Sequence, residues 1–338
     1  MSNANLSASI KNKAMEIGYD LCGITSADLI EEYASQLDER IKSFPESRKL
    51  YESLYPMAFP QKNVEWTKSV IVCVRRYGKY SIPEGLDKYV GKAYLVDGRL
   101  KHSKEYSRKT EFETYLNTLG LKTAYSIVPA RLAAVSAGLG RFGKNNFFYT
   151  EKYGSWVFID TWVIDSEMEY DEPTNSLNCP DNCNKCIDSC PTGALNMPLS
   201  MNWGKCIANL TSGLNSQTEG LKAKMGTWVY GCDVCQNVCP KNKNKWEEKE
   251  NFIDLSDIAP YLSLESIWNM DEETFLNVIQ PRFWYIGQDG LWIWKCNALR
   301  SMANSGDQKY HQYIKEAVEN PDQNIHNTAL WACQQLGI

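Results

Sequence analysis

The hydrophobic and polar positions of this chain predict mixed helices and strands in its first half and helices alone near its end. Apolar residues recur at helical spacing between positions 5 and 17, and a charged stretch at 101–120 predicts a second long helix. The β-branched run at 69–75 predicts a strand covered on both faces, and the alternating stretch 154–164 predicts another. A shorter strand is expected at 122–128.

The pattern from Leu262 to the end is helical and contains an internal repeat. Residues 298–306 match residues 329–337 with a shift of 31 positions. Helix pairs of this kind are HEAT-like, and two repeats are too few to stand alone, so we expect them to pack on the preceding domain. A chain of 338 residues exceeds what one core usually serves. We therefore predict an α+β protein with three domains: an α/β domain at 1–172, a cysteine-rich domain at 173–250 and a helical domain at 251–338.

Composition adds limits on partners and location. Hydrophobic residues make up 43% and charged residues 23%, as in ordinary soluble proteins. The formal net charge of −5 gives no overall attraction to nucleic acid, which disfavours an RNA partner unless a local basic face exists. The sequence has no run of 18 apolar residues and no apolar leader segment, so we expect no membrane span and a cytoplasmic location.

Eight of the 12 cysteines fall in one short span, and a proline directly follows both Cys190 and Cys239, each of which ends a Cys-x-x-x-Cys grouping. Each [4Fe–4S] cluster is held by four thiolates, so eight ligands suffice for two clusters. The alternatives are zinc and disulfides. Zinc sites usually lack a following Cys-x-x-x-Cys-Pro run, and disulfide frameworks belong to small secreted chains. We therefore predict a ferredoxin-like domain whose ligands are Cys179, Cys183, Cys186, Cys190, Cys206, Cys232, Cys235 and Cys239.

The ferredoxin pattern also predicts how these cysteines group. In the run C-x-x-C-x-x-C-x-x-x-C-P, the fourth cysteine ligates the other cluster. One predicted set is therefore Cys179, Cys183, Cys186 and Cys239. The second is Cys190, Cys206, Cys232 and Cys235. Cys179 departs from the pattern because three residues separate it from the next cysteine, and Cys206 is assigned by the count of eight alone.

A glycine string precedes the second predicted strand, after a short helix that Pro129 is expected to open. Gly138, Gly140 and Gly143 form a G-x-G-x-x-G pattern. A dinucleotide fingerprint should follow a strand directly within a βαβ unit, whereas a helix comes before this string. Tight turns without any ligand are the alternative.

Two charged features of the sequence are expected to have no role in binding or catalysis. Asp160 and Asp165, in and after the predicted strand, could face a pocket, but solvent-facing carboxylates are the default. The mixed-charge run at 241–250 is predicted to be solvated.

These landmarks in combination resemble the epoxyqueuosine reductase family over nearly the full length of the chain. The members of that family are cobalamin-dependent reductases with two [4Fe–4S] clusters, and they are related to reductive dehalogenases. The resemblance rests on Lys68-Ser-Val-Ile-Val72, Ala137-Gly-Leu-Gly-Arg-Phe-Gly-Lys-Asn145 with Gly154-Ser-Trp156, Cys186-Ile-Asp-Ser-Cys-Pro-Thr192, Tyr230-Gly-Cys-Asp-Val-Cys-Gln-Asn-Val-Cys-Pro240 and the HEAT-like end.

The resemblance implies a base-off cobalamin between an N-terminal, reductive-dehalogenase-like α/β domain and the cluster domain. It also implies an external low-potential electron donor of the flavodoxin or ferredoxin type. The three histidines, His102, His311 and His326, lack the sequence context of a lower axial ligand. By analogy, the contacts to the cofactor come from Gly138, Gly140, Arg141, Gly143, Lys144 and Asn145.

The chain departs from the family at the proton source. The family carries an acidic residue in a segment of the type Val-Asp-Ser-(Ala/Gly)-Pro, whereas the matching stretch at 123–129 has no carboxylate. Tyr106 and Tyr125 are the candidate substitutes, although packing is the ordinary role of a tyrosine.

We therefore expect an oxidoreductase in which two clusters reduce a cobalamin that acts on an unidentified small-molecule substrate. One alternative is an epoxyqueuosine reductase acting on tRNA, which the missing acid and the net charge disfavour. Another is an electron-transfer protein that reduces the corrinoid of a partner protein.

Overall fold

A four-stranded antiparallel sheet forms the centre of the first half of the protein. The computed structural model describes residues 3–30, 32–174, 177–213 and 219–338. Its strands are β1 (Leu21–Ser26), β2 (Ser69–Arg76), β3 (Thr123–Tyr125), β4 (Arg141–Phe142), β5 (Phe148–Tyr149), β6 (Val157–Ile164), β7 (Leu195–Met197) and β8 (Ser200–Met201). The central sheet has the order β1-β2-β6-β3, and each neighbouring pair is antiparallel. Two small hairpins, β4-β5 and β7-β8, lie outside it.

The central strands follow from their side chains. Every residue of β2 from Ser69 to Arg75 is buried, so the prediction of a strand covered on both faces is confirmed. Strand β6 confirms the second predicted strand, and β3 is shorter than the stretch predicted for it. Strand β1 was not predicted, because its six residues, interrupted by Gly23, carry no clear alternation.

Helices pack around this sheet. Helix α1 buries Ile10 and Ala14, as its apolar spacing predicts. The long helix predicted at 101–120 is α7, which Ser103 begins by accepting a hydrogen bond from the Tyr106 amide. The helices of this half are α1 (Asn3–Glu16), α2 (Glu32–Ser43), α3 (Arg48–Ser53), α4 (Tyr55–Ala58), α5 (Pro60–Asn63), α6 (Lys92–Leu95), α7 (Lys104–Thr118) and α8 (Ala130–Ser136).

The cysteine-rich region consists of loops and single helical turns around the β7-β8 hairpin. Its helices are α9 (Lys185–Asp188), α10 (Ile207–Leu210), α11 (Glu219–Lys224) and α12 (Val234–Asn237). Helices this short bury little apolar surface, so the region has only a small core of its own around Ile207, Leu210 and Met225.

The end of the chain is helical, as predicted. It contains α13 (Leu255–Ile258), α14 (Leu264–Trp268), α15 (Glu272–Thr274), α16 (Leu291–Ser305), α17 (His311–Ala317) and α18 (Gln323–Leu336). The repeat is visible in α16 and α18, which pack on each other and end at left-handed glycines, Gly306 and Gly337. Helix α16 docks on the cysteine-rich region, where Asn297 Nδ2 donates to the Thr211 carbonyl at 2.8 Å.

Among the described residues, no helix combines the length and apolar character needed to cross a bilayer.

Candidate active site

The fold brings the cysteines into two sets. Burial raises the pKa of Cys186, and the neighbouring thiols of Cys179 and Cys239 raise it further. We call Cys179, Cys183, Cys186 and Cys239 the outer cysteines. Cys183 lies on the turn after Pro180, where its amide donates to the Pro180 carbonyl at 3.0 Å.

The second set contains the other four cysteines of the span. Burial raises the pKa of Cys235, and Cys232, Cys206 and Cys190 add to that rise in this order. We call Cys190, Cys206, Cys232 and Cys235 the inner cysteines. Cys206 is remote in sequence from these neighbours in space. The place of Cys183 in the outer set, and the assignment of each set to one cluster, stay predictions from the ferredoxin pattern.

The chemistry of both sets fits iron–sulfur clusters. Burial raises the pKa values of Cys186 and Cys235 first, and repulsion from the neighbouring thiolates raises them further. Binding to iron would neutralise these thiolates. Among the described residues, no three His, Cys, Asp or Glu side chains are close enough to hold a single metal ion. A [4Fe–4S] cluster does not require that, because each thiolate binds a different iron atom.

A cavity of about 450 Å³ connects the inner cysteines to the central sheet. All four inner cysteines line it, and so do aromatic and apolar side chains including Tyr94, Phe147 and Phe158. The Arg75 and Arg131 guanidiniums and the Asn145 amide supply polar groups. None of the described residues that line the cavity is a histidine.

The cavity wall fits a large flat cofactor that carries polar substituents. Phe147 and Phe158 present aromatic faces, and the guanidiniums of Arg131 and Arg75 lie 4.7 and 4.3 Å from their respective ring centroids. Arg75 Nη1 is buried without a hydrogen-bond partner among the described residues. A buried donor of this kind is costly unless a ligand satisfies it.

Asp160 of β6 is the buried carboxylate of this cavity. It is only 6% exposed, so the expectation that it faces solvent is wrong. Its Oδ1 accepts a hydrogen bond from Tyr125 Oη at 2.6 Å, and its Oδ2 accepts one from Tyr19 Oη at 3.2 Å. Arg75 Nε lies 3.4 Å from Oδ2 and completes an ion pair. Antiparallel pairing of β3 with β6 brings Tyr125 and Asp160 together.

The two candidate tyrosines have different surroundings. Tyr125 lines the cavity and is 36% exposed, so its hydroxyl lies between Asp160 and the opening. Burial raises the pKa of Tyr125, and the Asp160 carboxylate raises it further, so the phenol keeps its proton at neutral pH. Tyr106 lies on α7 and is not among the residues that line the cavity. Lys109 is close to both rings, at 4.4 Å from the Tyr125 centroid and 5.0 Å from that of Tyr106.

The glycine string contacts protein rather than open space. A side chain at Gly138, where φ is +70°, would meet the Glu172 carbonyl at 2.6 Å, and one at Gly140 would collide with the Tyr149 carbonyl. Gly138 therefore permits close packing on the segment that follows β6, and Gly140 permits close packing on β5. Since no βαβ unit surrounds the string, the structure does not support a dinucleotide site there.

The remaining loop residues lie between the cluster region and the cavity. The Lys144 amide donates to Cys179 Sγ at 3.3 Å, and its ammonium donates to the Asp181 carbonyl at 2.7 Å. Asn145 Nδ2 donates to the Cys235 carbonyl at 3.2 Å and faces the cavity. Arg141 lines a different, outer groove together with Gly138 and Gly140.

The cavity rim carries exposed aromatic residues that the sequence analysis did not single out. Trp284 and Tyr285 are stacked with centroids 4.1 Å apart, and they are 43% and 53% exposed. The Arg99 guanidinium lies 4.0 Å from the Trp284 ring. Tyr285 also lines the cavity. A neighbouring pair of large aromatic residues next to a basic residue could have been noted in the sequence, but nothing there places them beside the site.

The fold and the two cysteine sets define an iron–sulfur oxidoreductase with a buried site beside its inner cysteines. Residues 178–242 match the family described as a 4Fe-4S double cluster binding domain. This span of the chain includes all eight cysteines. The chain is 30% identical to the epoxyqueuosine reductase of Cyclobacterium marinum over 285 residues, which cover 80% of this chain and 89% of that protein. This protein belongs to the epoxyqueuosine reductase family.

Solved structures agree with this assignment at the level of the fold. The structure of epoxyqueuosine reductase from Bacillus subtilis, with its catalytic aspartate loop swung out of the active site, aligns with a TM-score of 0.81 at 23% identity. The alignment covers 98% of this chain and 90% of that one. An epoxyqueuosine reductase bound to an epoxyqueuosine-modified tRNA stem loop aligns with a TM-score of 0.80 at 23% identity, over 99% of this chain and 91% of that one.

The family membership confirms the resemblance and the prediction of a reductase. It also corrects the preferred hypothesis, because the relatives are named for one substrate and one solved neighbour holds a tRNA stem loop. The findings favour the tRNA alternative over an unidentified small molecule. Net charge was a poor guide here, since it sums the whole surface, whereas a ligand interacts with the groups around its own site.

Proposed function

We propose that this protein reduces epoxyqueuosine in tRNA to queuosine, with electrons from two [4Fe–4S] clusters and a base-off cobalamin in the cavity. The observation that carries the proposal is the continuity of one cavity from the inner cysteines to the Tyr125–Asp160 pair. Membership of the epoxyqueuosine reductase family supports the substrate. Removal of the epoxide oxygen consumes two electrons and two protons and releases water.

In this proposal, the inner and outer cysteines hold the clusters, and the aromatic and cationic wall holds the cofactor. Cobalamin supplies the low-potential metal chemistry that opens the epoxide. Phe147, Phe158 and Arg75 would contact the cofactor, and Asn145 would link its pocket to the backbone at Cys235. The remaining tasks, which are proton delivery and placement of the RNA, fall to side chains of this chain.

Tyr125 is the proposed proton donor. Its raised pKa keeps the proton on the phenol until a stronger base arrives, and the oxygen of an opened epoxide is such a base. Asp160 and Arg75 orient the hydroxyl from the protein side. Lys109, 4.4 Å from the ring, places positive charge beside the phenolate that proton transfer leaves. Partial exposure of Tyr125 allows it to be reprotonated from solvent.

The rim supplies a surface for the RNA. A base to be reduced in the cavity must be extruded from the anticodon loop, and its unstacked neighbours need new stacking partners. The exposed Trp284–Tyr285 stack with Arg99 offers an aromatic face and a cation at that position. Local chemistry of this kind favours RNA at the rim despite the negative total charge.

The direct test is turnover. Anaerobically reconstituted protein that carries both clusters and cobalamin is mixed with an epoxyqueuosine-containing tRNA stem loop and a chemical reductant. Nucleosides are then analysed by mass spectrometry. We expect conversion to queuosine, and no conversion by a Cys235→Ala variant that cannot hold the inner cluster. Full loading of the wild type without queuosine formation would overturn the proposal.

A further inference from the structure

A second concave surface adjoins the cysteine-rich region and has no part in the proposed reaction. This groove, of about 680 Å³, is lined by Arg141, Lys241, Lys243 and Lys245, with Glu151 as its one acidic residue among those described. We call it the outer groove. Arg141, Lys241 and Lys243 are exposed, and none of the four basic side chains forms an ion pair with the described residues.

The outer groove is adjacent to the outer cysteines. Asn178 and Pro240 line it, and these residues are covalent neighbours of Cys179 and Cys239. The Asn178 amide donates to the Phe142 carbonyl at 2.9 Å, which fixes the backbone before Cys179 against the β4-β5 hairpin. Two outer cysteines therefore lie one residue along the chain from the lining of this groove, whereas the inner cysteines themselves line the cavity.

The lysines of this groove are held in place by the chain that follows Cys239. Asn242 is buried and donates through Nδ2 to Ser155 Oγ and to the Gln236 carbonyl, both at 2.9 Å. Lys241 and Lys243 flank this anchored residue, so their side chains leave the same fixed turn. Lys241 and Lys243 are exposed to solvent, as the prediction for the run at 241–250 has it, and they leave a turn that Asn242 anchors.

We propose that the outer groove is the docking surface for an acidic, low-potential electron-carrier protein. Four unpaired cations beside one anion attract a negatively charged partner and steer its approach. Docking there places the carrier over the outer cysteines and leaves the cavity rim free for substrate. In each encounter the reduced carrier loses one electron and the outer cluster gains it, with no bond made or broken. Two encounters supply the two electrons of one turnover.

The experiment measures cluster reduction without any substrate. Reduced flavodoxin, an acidic flavoprotein, is mixed anaerobically with the cluster-loaded protein, and the cluster absorbance is followed by stopped flow at low salt. We expect the Lys241→Gln/Lys243→Gln variant to be reduced at least about tenfold more slowly than wild type. Photoreduced deazaflavin, which is too small to need a docking surface, should reduce both proteins at equal rates.

Two controls separate the explanations. The Lys42→Gln/Lys315→Gln variant removes two exposed cations elsewhere and should behave as wild type. Binding of oxidised flavodoxin, measured by calorimetry, should weaken in the groove variant alone, which gives a readout without electron transfer. The tRNA stem loop should bind the groove variant with unchanged affinity.

Two results would overturn the proposal. Unchanged reduction by flavodoxin in the groove variant would show that the lysines do not receive the carrier. Loss of RNA affinity with an unchanged flavodoxin rate would assign the groove to the nucleic acid instead. Neither result depends on epoxyqueuosine turnover, so this proposal and the proposed function fail separately.

Discussion

The inner and outer cysteines contrast in what surrounds them. The inner set borders a cavity with aromatic walls, a buried Arg75–Asp160 ion pair and a protonated tyrosine. The outer set adjoins an open groove in which Lys241 and Lys243 are exposed. This difference fits the proposed direction of electron flow, from the outer cysteines to the inner ones. A carrier protein is attracted at an exposed, charged surface, whereas proton chemistry needs a site whose groups are fixed and partly shielded from water.

The largest expected effect tests the inner site through Tyr125. Replacement of Tyr125 by Phe removes the proposed proton donor and should lower the rate of queuosine formation by about 10²–10⁴-fold. Cluster reduction and RNA affinity should remain as in wild type. Tyr106→Phe is the matched control, because Tyr106 also lies beside Lys109 but does not line the cavity. Equal losses in the two variants would contradict the assignment.

The pH profile sharpens this test. Because the folded-state pKa of Tyr125 is raised, its proton is retained beyond the pH at which a free tyrosine ionises, about 10. Wild-type turnover should therefore show no decline from tyrosine ionisation between pH 7 and about 9.5. A decline in that interval that is absent in Tyr125→Phe would mean that the tyrosine ionises earlier than its surroundings imply.

The next effect concerns stability at the same site. Asp160→Ala leaves the buried Arg75 guanidinium without its partner, and loss of one member of a buried ion pair costs about 3–5 kcal/mol. Anaerobic chemical denaturation followed by tryptophan fluorescence measures the free energy of unfolding. Asp165→Ala, which removes an acceptor for the exposed Lys122 amide, should cost much less. A similar loss of stability in both variants would show that the Arg75–Asp160 ion pair contributes no more than the exposed hydrogen bond of Asp165.

A smaller effect is expected at the rim. Trp284→Ala removes one half of the exposed stack, and base–aromatic stacking contributes about 1–3 kcal/mol per base. The affinity for an anticodon stem loop should fall by about 5- to 150-fold, measured by fluorescence anisotropy. Tyr261→Ala removes another exposed aromatic residue and should leave the affinity unchanged. Retention of full affinity by the Trp284 variant would exclude the stack from RNA binding.

The smallest expected effect is the response of the cluster-reduction rate to salt concentration. Exposed charges are screened over about 10 Å at 0.1 M salt and about 3 Å at 1 M. Reduction by flavodoxin through the outer groove should therefore slow several-fold as the salt rises from about 0.05 to 0.5 M. Reduction by deazaflavin should be insensitive over the same range. A carrier rate that does not respond to salt would remove electrostatic steering from the outer groove.

Much of the fold could be predicted from the sequence, because the signals are local. Apolar spacing identified α1, the β-branched run identified β2, and two similar segments identified the repeat of α16 and α18. Strand β1 was missed because Gly23 interrupts a short run whose burial depends on its neighbour β2. The antiparallel arrangement of the sheet also had no local signal.

The site was predictable only in part. Most of the proposed cluster ligands follow from their spacing, since a cluster imposes a fixed pattern of thiolates on the chain, whereas Cys206 was assigned by the count of eight alone. Residues 123–129 contain no carboxylate, as the sequence shows, but the carboxylate that contacts Tyr125 lies on another strand. Asp160 reaches Tyr125 across the β3–β6 pair, and that contact joins residues 35 positions apart.

The sequence by itself determined the family, the reductase class and the eight cysteines, because each depends on residue types at short, fixed spacings. The tertiary structure decided which cysteines line the cavity beside the central sheet and which adjoin the lysines of the outer groove. It also decided that Tyr125, rather than Tyr106, lines the cavity. These properties depend on burial and on contacts between distant segments, and such contacts exist only after the sheet and the cluster region have packed together.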